Sequence, residues 1–173
     1  MSWYVMFTQT GFEDEICTFI NKIANYVFSG IDYNLLIPKR KIFERHQGVT
    51  YEVTRKMFPG YILVETDNIL DFYYKIKGLP RIFNILKNYD YFHEVRYDDI
   101  YQILCLVDKN GLIEVSEGLM IDDEIQVISG PLYGWEGIIK KIDKRKGRAK
   151  VLFRVSDNEH LVDLGINVLQ KYD

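Results

Sequence analysis

The sequence has 173 residues, of which 47% are hydrophobic, 27% charged and 14% aromatic, a balance that excludes a disordered chain. The net charge is −3 and the pI about 5.7, so any nucleic-acid contact must come from a local basic patch. No apolar run approaches the roughly 20 residues that cross a membrane. Residues 1–15 lack the pattern of a signal peptide. We expect a cytoplasmic protein without membrane contacts.

The first 108 residues alternate between predicted strands and helices. From Phe12 to Val27 apolar residues recur three or four positions apart, the period of a helix face. Around the Gly48 tip, alternating residues predict a β-hairpin. Strands are predicted at 3–8, 33–38, in the hairpin 39–55, at 61–65, in the extended segment 81–86 and up to Val95; helices are predicted at 12–30, at 68–77 after an Asp67 or Asn68 cap, and at 97–108. This order predicts an α/β sandwich with an antiparallel-rich sheet.

The pattern changes after Asn110. Residues 109–118 contain two glycines and are predicted to form a linker. Beyond Met120 no helical period recurs, and short strands are predicted at 124–129, 135–142, 149–155, 160–163 and 168–170. Five short strands in about 55 residues favour a small β-barrel, because closure removes exposed edges. The predicted fold class is therefore α+β, with domains at 1–108 and 119–173.

Two blocks of sequence carry family-specific motifs. The amino-terminal block contains Trp3-Tyr4-Val5, Gly11-Phe12-Glu13, Ile37-Pro38, Phe58-Pro59-Gly60-Tyr61 and Gly78-Leu79-Pro80-Arg81-Ile82-Phe83. In the second block, residues 121–139, the positions of a KOW motif are matched by Asp123, Gly130-Pro131, Gly134 and Gly137. In this order, and over nearly the whole chain, the two blocks resemble the NusG family of transcription elongation factors.

The resemblance implies an amino-terminal (NGN) domain that binds the clamp helices of the β′ subunit of bacterial RNA polymerase. By bridging to the opposite pincer, this domain keeps the clamp closed and favours processive elongation and antitermination. The positions that match its apolar patch are Phe7, Phe58 and Leu63, with Tyr4 beside them in a partly structural role. Phe58 precedes a Pro-Gly turn, where an exposed aromatic ring can anchor a partner helix. The alternative is that these side chains belong to the core.

Positive charge is concentrated in two segments. Residues 39–56 hold six basic and two acidic residues, and residues 140–154 hold eight basic and one acidic residue. The first segment either contacts DNA near the polymerase or faces solvent. For the second we predict a nucleic-acid surface in which cations follow phosphates and aromatic rings stack on unpaired bases, with a solvated hairpin as the alternative. Its residues are Lys140, Lys141, Lys144, Arg145, Lys146, Arg148, Lys150, Tyr133 and Trp135.

The resemblance also implies the remaining partners. In the family the KOW barrel otherwise binds a small ribosomal protein or a termination factor, and the protein is expected to be a monomer. The basic barrel and high tyrosine content indicate a specialised paralogue of the LoaP or RfaH kind. The β-branched residues at 125–155 favour a barrel over the helical form of one family branch.

No enzymatic function, cofactor or metal is expected. The three histidines, His46, His93 and His160, are scattered without a nearby nucleophile, and no phosphate-binding glycine loop occurs. The two cysteines match no metal-ligand spacing. The competing interpretation is a ribosome-associated KOW protein that binds RNA, but it leaves the amino-terminal motifs unexplained.

Overall fold

The computed structural model describes residues 1–89, 91–121 and 124–170, with Gln170 described by its backbone alone. In chain order the described elements are β1 (Ser2–Thr8), α1 (Glu13–Val27), β2 (Tyr33–Leu36), β3 (Lys39–His46), β4 (Val49–Lys56), β5 (Tyr61–Thr66), α2 (Ile69–Ile76), β6 (Ile82–Ile85), β7 (Lys87–Asn88), β8 (Tyr91–Phe92), α3 (Tyr97–Leu106), β9 (Leu112–Ile113), β10 (Ser116–Ile121), β11 (Glu124–Ser129), β12 (Ile139–Asp143), β13 (Arg148–Val155) and β14 (Asn158–Gln170). Within these ranges, no helix is long and apolar enough to cross a membrane.

The chain divides into two compact units. The first comprises Met1–Ile37 and Phe58–Ile100, and the second comprises Pro38–Met57 and Tyr101–Asp173. The β3–β4 hairpin therefore belongs to the same unit as the carboxy-terminal strands. Sequence periodicity could not predict this grouping, because the hairpin lies between two strands of the first unit.

The first unit is built on a four-stranded antiparallel sheet with the order β2-β5-β1-β6. Alternate residues of β1 and β5, among them Met6 and Ile62, pack with Ile20 of α1 and Phe72 of α2 in one buried cluster. Side chains of adjacent strand residues point to opposite faces, so both helices cover the same face of the sheet. The Asn68 side chain accepts the Asp71 N–H at 3.2 Å, so Asn68, one of the two predicted caps, is the cap of α2.

The second unit contains the predicted hairpin. Gln47 and Gly48 at its tip have φ values of 48° and 84°, positive at both central positions as in a type I′ turn. β3 also pairs in parallel with β9, giving a three-stranded sheet, β4-β3-β9. The same unit holds a five-stranded sheet with the order β11-β10-β14-β13-β12.

Several elements of the second unit differ from those expected from the sequence. The predicted linker, residues 109–118, contains β9 and the start of β10, and Ile113 and Ser116 are buried. Short hydrogen bonds fix its beginning: Asp108 Oδ1 accepts the N–H groups of Asn110 and Leu112 at 2.8 and 2.9 Å. These bonds hold the pKa of the Asp108 carboxyl below its ordinary value, led by the bond from Leu112.

The strands beyond residue 135 also differ from the prediction. The strand predicted at 135–142 begins with a 3-10 turn, Glu136–Ile138, before β12. The separate strands predicted at 160–163 and 168–170 are one strand, β14, which pairs first with β13 and then with β10. The predicted number of five strands is still correct, because β10, which begins in the predicted linker, makes up for the two predicted strands that are one strand. A functional division into domains at 1–108 and 119–173 remains a prediction.

Candidate polymerase and nucleic-acid interfaces

Three of the four predicted polymerase-binding residues are buried. The exposed fractions are 0% for Leu63, 3% for Phe58 and 5% for Tyr4. The expectation that Phe58 is an exposed anchor is therefore wrong. Its ring lies 6.4 Å from the Tyr61 ring, while the Tyr61 N–H donates to the Phe58 carbonyl at 3.1 Å across the Pro-Gly turn. The turn folds the Phe58 side chain inward instead of presenting it.

The turn itself is fixed by glycine geometry. Gly60 has φ 86°, as the third position of a type II turn requires. A Cβ on Gly60 would lie 3.3 Å from the Thr8 carbonyl oxygen, so the close approach to β1 also needs glycine. The Thr8 N–H donates to the Gly60 carbonyl at 2.8 Å. The motif therefore closes the end of the sheet as well as turning the chain.

Tyr4 has a structural role. Its side chain belongs to the cluster beneath α1 and α2, and its hydroxyl donates to Glu94 Oε1 at 3.1 Å. Burial, together with the Glu94 carboxylate, raises the pKa of Tyr4 above its ordinary value. Leu63 alternates with Ile62 and Val64 and points to the sheet face opposite the helices, where it is equally buried.

Partly exposed aromatic side chains occur beside these buried residues. The Phe7 ring, which retains partial exposure, packs edge-on against Tyr61 with 5.1 Å between centroids. Phe83 on the edge strand β6 is 70% exposed. Tyr61 and Phe83 both lie within the amino-terminal motifs, but the patch predicted from the sequence included neither residue, because exposure and edge position depend on the order of strands in the sheet.

The basic carboxy-terminal segment forms β12, the following turn and β13, and its cations differ in their partners. Arg148 and Lys150 are paired with Asp163 at 3.3 and 3.6 Å, and Arg148 also donates to the Phe43 carbonyl at 3.1 Å. Lys146 is 4.0 Å from Asp143. Lys144 Nζ lies 2.8 Å from the Met120 sulfur. In the described part of the chain, the exposed residues Lys140, Lys141 and Arg145 have no ion pair.

The loop between β11 and β12 presents one of the two predicted aromatic residues. Tyr133 is 65% exposed, whereas Trp135 is partly buried, with its ring 6.4 Å from that of Tyr101. Leu132 in the same loop is fully buried. Its N–H donates to Ser116 Oγ at 3.0 Å, which pulls the loop inward. Asp123 of the KOW motif lies outside the described residues.

Within the second unit a cleft of about 610 Å³ joins the turn after β12 to the β3–β4 hairpin. It is lined by Phe43, Glu44, Arg45, Thr50, Arg145, Lys146 and Arg148. The predicted nucleic-acid surface included the last three residues, and for the hairpin the sequence left DNA contact and solvent exposure open without joining it to that surface. The hairpin's basic composition was a signal, but nothing local showed which other segment it would contact.

The described residues contain no group of three or more histidine, cysteine or acidic side chains placed to hold a metal ion. The arrangement offers hydrogen-bond donors and positive charge, which suit binding of an anionic polymer.

Comparisons with known proteins agree with this architecture. The profile described as "Transcription termination factor nusG" matches residues 1–104. The transcription termination/antitermination protein NusG of Halalkalibacterium halodurans is 23% identical, with 98% of each chain covered. Its Pasteurella multocida counterpart is 25% identical over 98% of this chain and 94% of its own. A solved structure of Thermotoga maritima NusG is similar in fold, with a TM-score of 0.57 at 21% identity over 95% of this chain and 93% of that chain.

These matches place the chain among transcription factors. It belongs to the NusG family of transcription termination and antitermination factors.

Proposed function

We propose that this protein acts on elongating RNA polymerase: its first unit binds the clamp helices of the β′ subunit, and its carboxy-terminal strands contact RNA. The family match over residues 1–104 is the observation that carries the proposal, because the matched segment includes the whole first unit. Binding to the clamp would favour processive elongation and antitermination.

The burial of individual side chains supports a polymerase-binding surface that differs from the one predicted from the sequence. Phe7, Tyr61 and Phe83 retain exposure, whereas Phe58 and Leu63 are buried. We assign the contacts to Phe7, Tyr61 and Phe83, and a structural role to Phe58 and Leu63. Partly or fully exposed aromatic rings on a sheet are suited to a partner helix, since they bury area at low conformational cost.

The charge pattern supports the proposed RNA contact. Lys140, Lys141 and Arg145 are exposed without ion pairs among the described residues, and exposed Tyr133 lies on the adjoining loop. Cations of this kind follow a phosphate backbone, while an exposed ring stacks on an unpaired base. Arg148 and Lys150 take part less directly, because Asp163 already neutralises part of their charge.

The proposal is tested by affinity capture with the full chain as bait. RNA polymerase, and not ribosomal subunits, should be retained from a bacterial extract. Replacing both Phe7 and Phe83 by Ala should abolish retention while circular dichroism shows an intact fold. The control Tyr26→Ala removes a ring that is 90% exposed on α1 and should leave retention unchanged. Capture of ribosomes alone would overturn the proposal in favour of a ribosome-associated RNA-binding protein.

Specialisation for selected operons remains a further proposal, based on the basic segment at 140–154. Deleting the gene should then change the transcription of a few long operons. A uniform change across the transcriptome would instead indicate a general elongation factor.

A further inference from the structure

The cleft in the second unit combines basic residues that are about 100 positions apart in the sequence. We propose that it is a composite binding site for the phosphodiester backbone of a nucleic acid. The β3–β4 hairpin supplies Arg45 and Thr50, and the turn between β12 and β13 supplies Arg145 and Lys146. This inference rests on the proposed RNA contact and extends it by making the hairpin half of the site.

Two charges at the cleft are already neutralised. The Glu44 carboxylate accepts two hydrogen bonds from Arg55, at 3.0 and 2.9 Å, and these bonds hold the pKa of Glu44 below its ordinary value. Arg148 is paired with Asp163 and donates to the Phe43 carbonyl. The acidic wall residue therefore does not cancel the cations opposite it, and Arg148 acts mainly as a structural link.

Three cations remain for a ligand. Among the described residues, the Arg45 side chain makes one hydrogen bond, in which its Nε donates to the carbonyl of Gly48 in its own turn at 3.4 Å. Arg145 is exposed, and Lys146 is 68% exposed at 4.0 Å from Asp143. The exposed Thr50 hydroxyl adds a neutral donor. An open cleft in which exposed cations outnumber acidic side chains suits a linear anion with regularly spaced charges, which is the chemistry of a phosphodiester backbone.

Close packing fixes the hairpin against the strands of its own unit. A Cβ on Gly147 would lie 2.8 Å from Cδ2 of Phe43, so the turn and hairpin approach as closely as glycine allows. On the other side, β3 pairs with β9, and Lys41 forms a 2.7 Å ion pair with Glu114. The cleft walls are therefore held in place before a ligand binds, which reduces the ordering cost of binding.

The test uses the full chain and fluorescence anisotropy with a short labelled single-stranded RNA and with DNA of the same sequence. Arg45→Ala should weaken binding several-fold. It should also reduce the steepness of the negative slope of log affinity against log salt by roughly 0.7, the value for one phosphate contact on a single strand. Arg45→Lys should restore most of the affinity, because the charge is retained.

Two further variants make the result specific. Thr50→Glu places a carboxylate in the cleft without removing a cation, and it should weaken binding more than Arg45→Ala. Arg154→Ala removes the same charge from the other end of β13, where Arg154 pairs with Glu159 at 2.8 Å, and it should leave affinity and slope unchanged. Circular dichroism establishes that each variant is folded.

The outcomes separate this inference from the proposed function. If Arg145→Ala with Lys146→Ala weakens binding but Arg45→Ala and Thr50→Glu do not, the composite cleft is overturned while the proposed RNA contact stands. Loss of affinity in the hairpin variants as well as in the turn variants supports the composite site. Tighter binding of RNA than of DNA then identifies the ligand as RNA, and equal affinities show that the site accepts the backbone of either nucleic acid. Failure of the wild-type chain to bind either strand at low salt overturns both proposals.

Discussion

The carboxylate of Glu13 joins the start of α1 to Gly60 in the turn before β5. Its Oε1 accepts the Gly60 N–H at 2.6 Å and its Oε2 accepts the Gly11 N–H at 2.9 Å, and the residue is fully buried. A buried carboxylate is tolerated only when hydrogen bonds replace its hydration. The Pro-Gly turn, a family motif in the sequence, is therefore also part of the internal polar network of the first unit.

Replacing Glu13 by Ala should lower the free energy of unfolding by about 3 kcal/mol, because hydrogen bonds to a charged group contribute about 1.5–3 kcal/mol each and two buried N–H groups lose their partner. Urea denaturation followed by circular dichroism measures the loss. Glu15→Ala is the matched control, since Glu15 lies in the same helical turn but is exposed and paired with Arg81. Equal losses in the two variants would contradict the role assigned to Glu13.

Gly165→Ala should destabilise the second unit by about 1–3 kcal/mol through overpacking. The added Cβ would lie 2.6 Å from the Lys41 carbonyl oxygen and 3.0 Å from Cγ2 of Val115, and a backbone atom cannot rotate away. Gly137→Ala is the control, because a Cβ there would meet no described atom within 4 Å apart from those of its chain neighbours. Thermal unfolding compares the two, and a Gly165→Ala protein as stable as the control would show that β3 does not pack at Gly165.

His160 should make stability fall at mildly acidic pH. Burial lowers the pKa of His160 below its ordinary value of 6.5, so the unfolded chain binds a proton more readily than the folded chain. The stability is therefore fully present above about pH 6.5 and is lost as the pH falls from there through the folded pKa.

The His160→Asn variant isolates this contribution. As the pH is lowered from about 7.5 to about 5.5, the unfolding free energy of the wild type should fall relative to that of the variant. This range starts about one unit above the unfolded pKa. Carboxylates common to both proteins cancel in the comparison. A difference independent of pH would exclude His160 as the titrating group.

Tyr133 and Trp135 should respond differently to truncation. Tyr133→Ala should leave stability unchanged and lower RNA affinity by about 1–3 kcal/mol, the contribution of one base stacked on a ring. Trp135→Ala should lower the stability of the fold, because Trp135 packs near Tyr101. Anisotropy and thermal unfolding on both variants check the assignment, and unchanged RNA affinity in Tyr133→Ala would rule out stacking at this loop.

The local sequence determined most of the secondary structure. Helical spacing, the Asn68 cap and the two-residue tip at Gln47-Gly48 depend on interactions between near neighbours, so α1, α2 and the hairpin are where the sequence predicted them. The family assignment likewise followed from motifs in order along the chain, which the match over residues 1–104 supports.

Only the tertiary structure decided which residues are available to partners. Phe58 is buried because its turn closes onto β1, and the predicted linker is ordered because β9 pairs with β3 and β10 with β14. The cleft between Arg45 and Arg145 likewise exists because segments distant in the sequence pack together. Exposure and long-range pairing depend on contacts between segments distant in sequence, and composition or periodicity carries no record of those contacts.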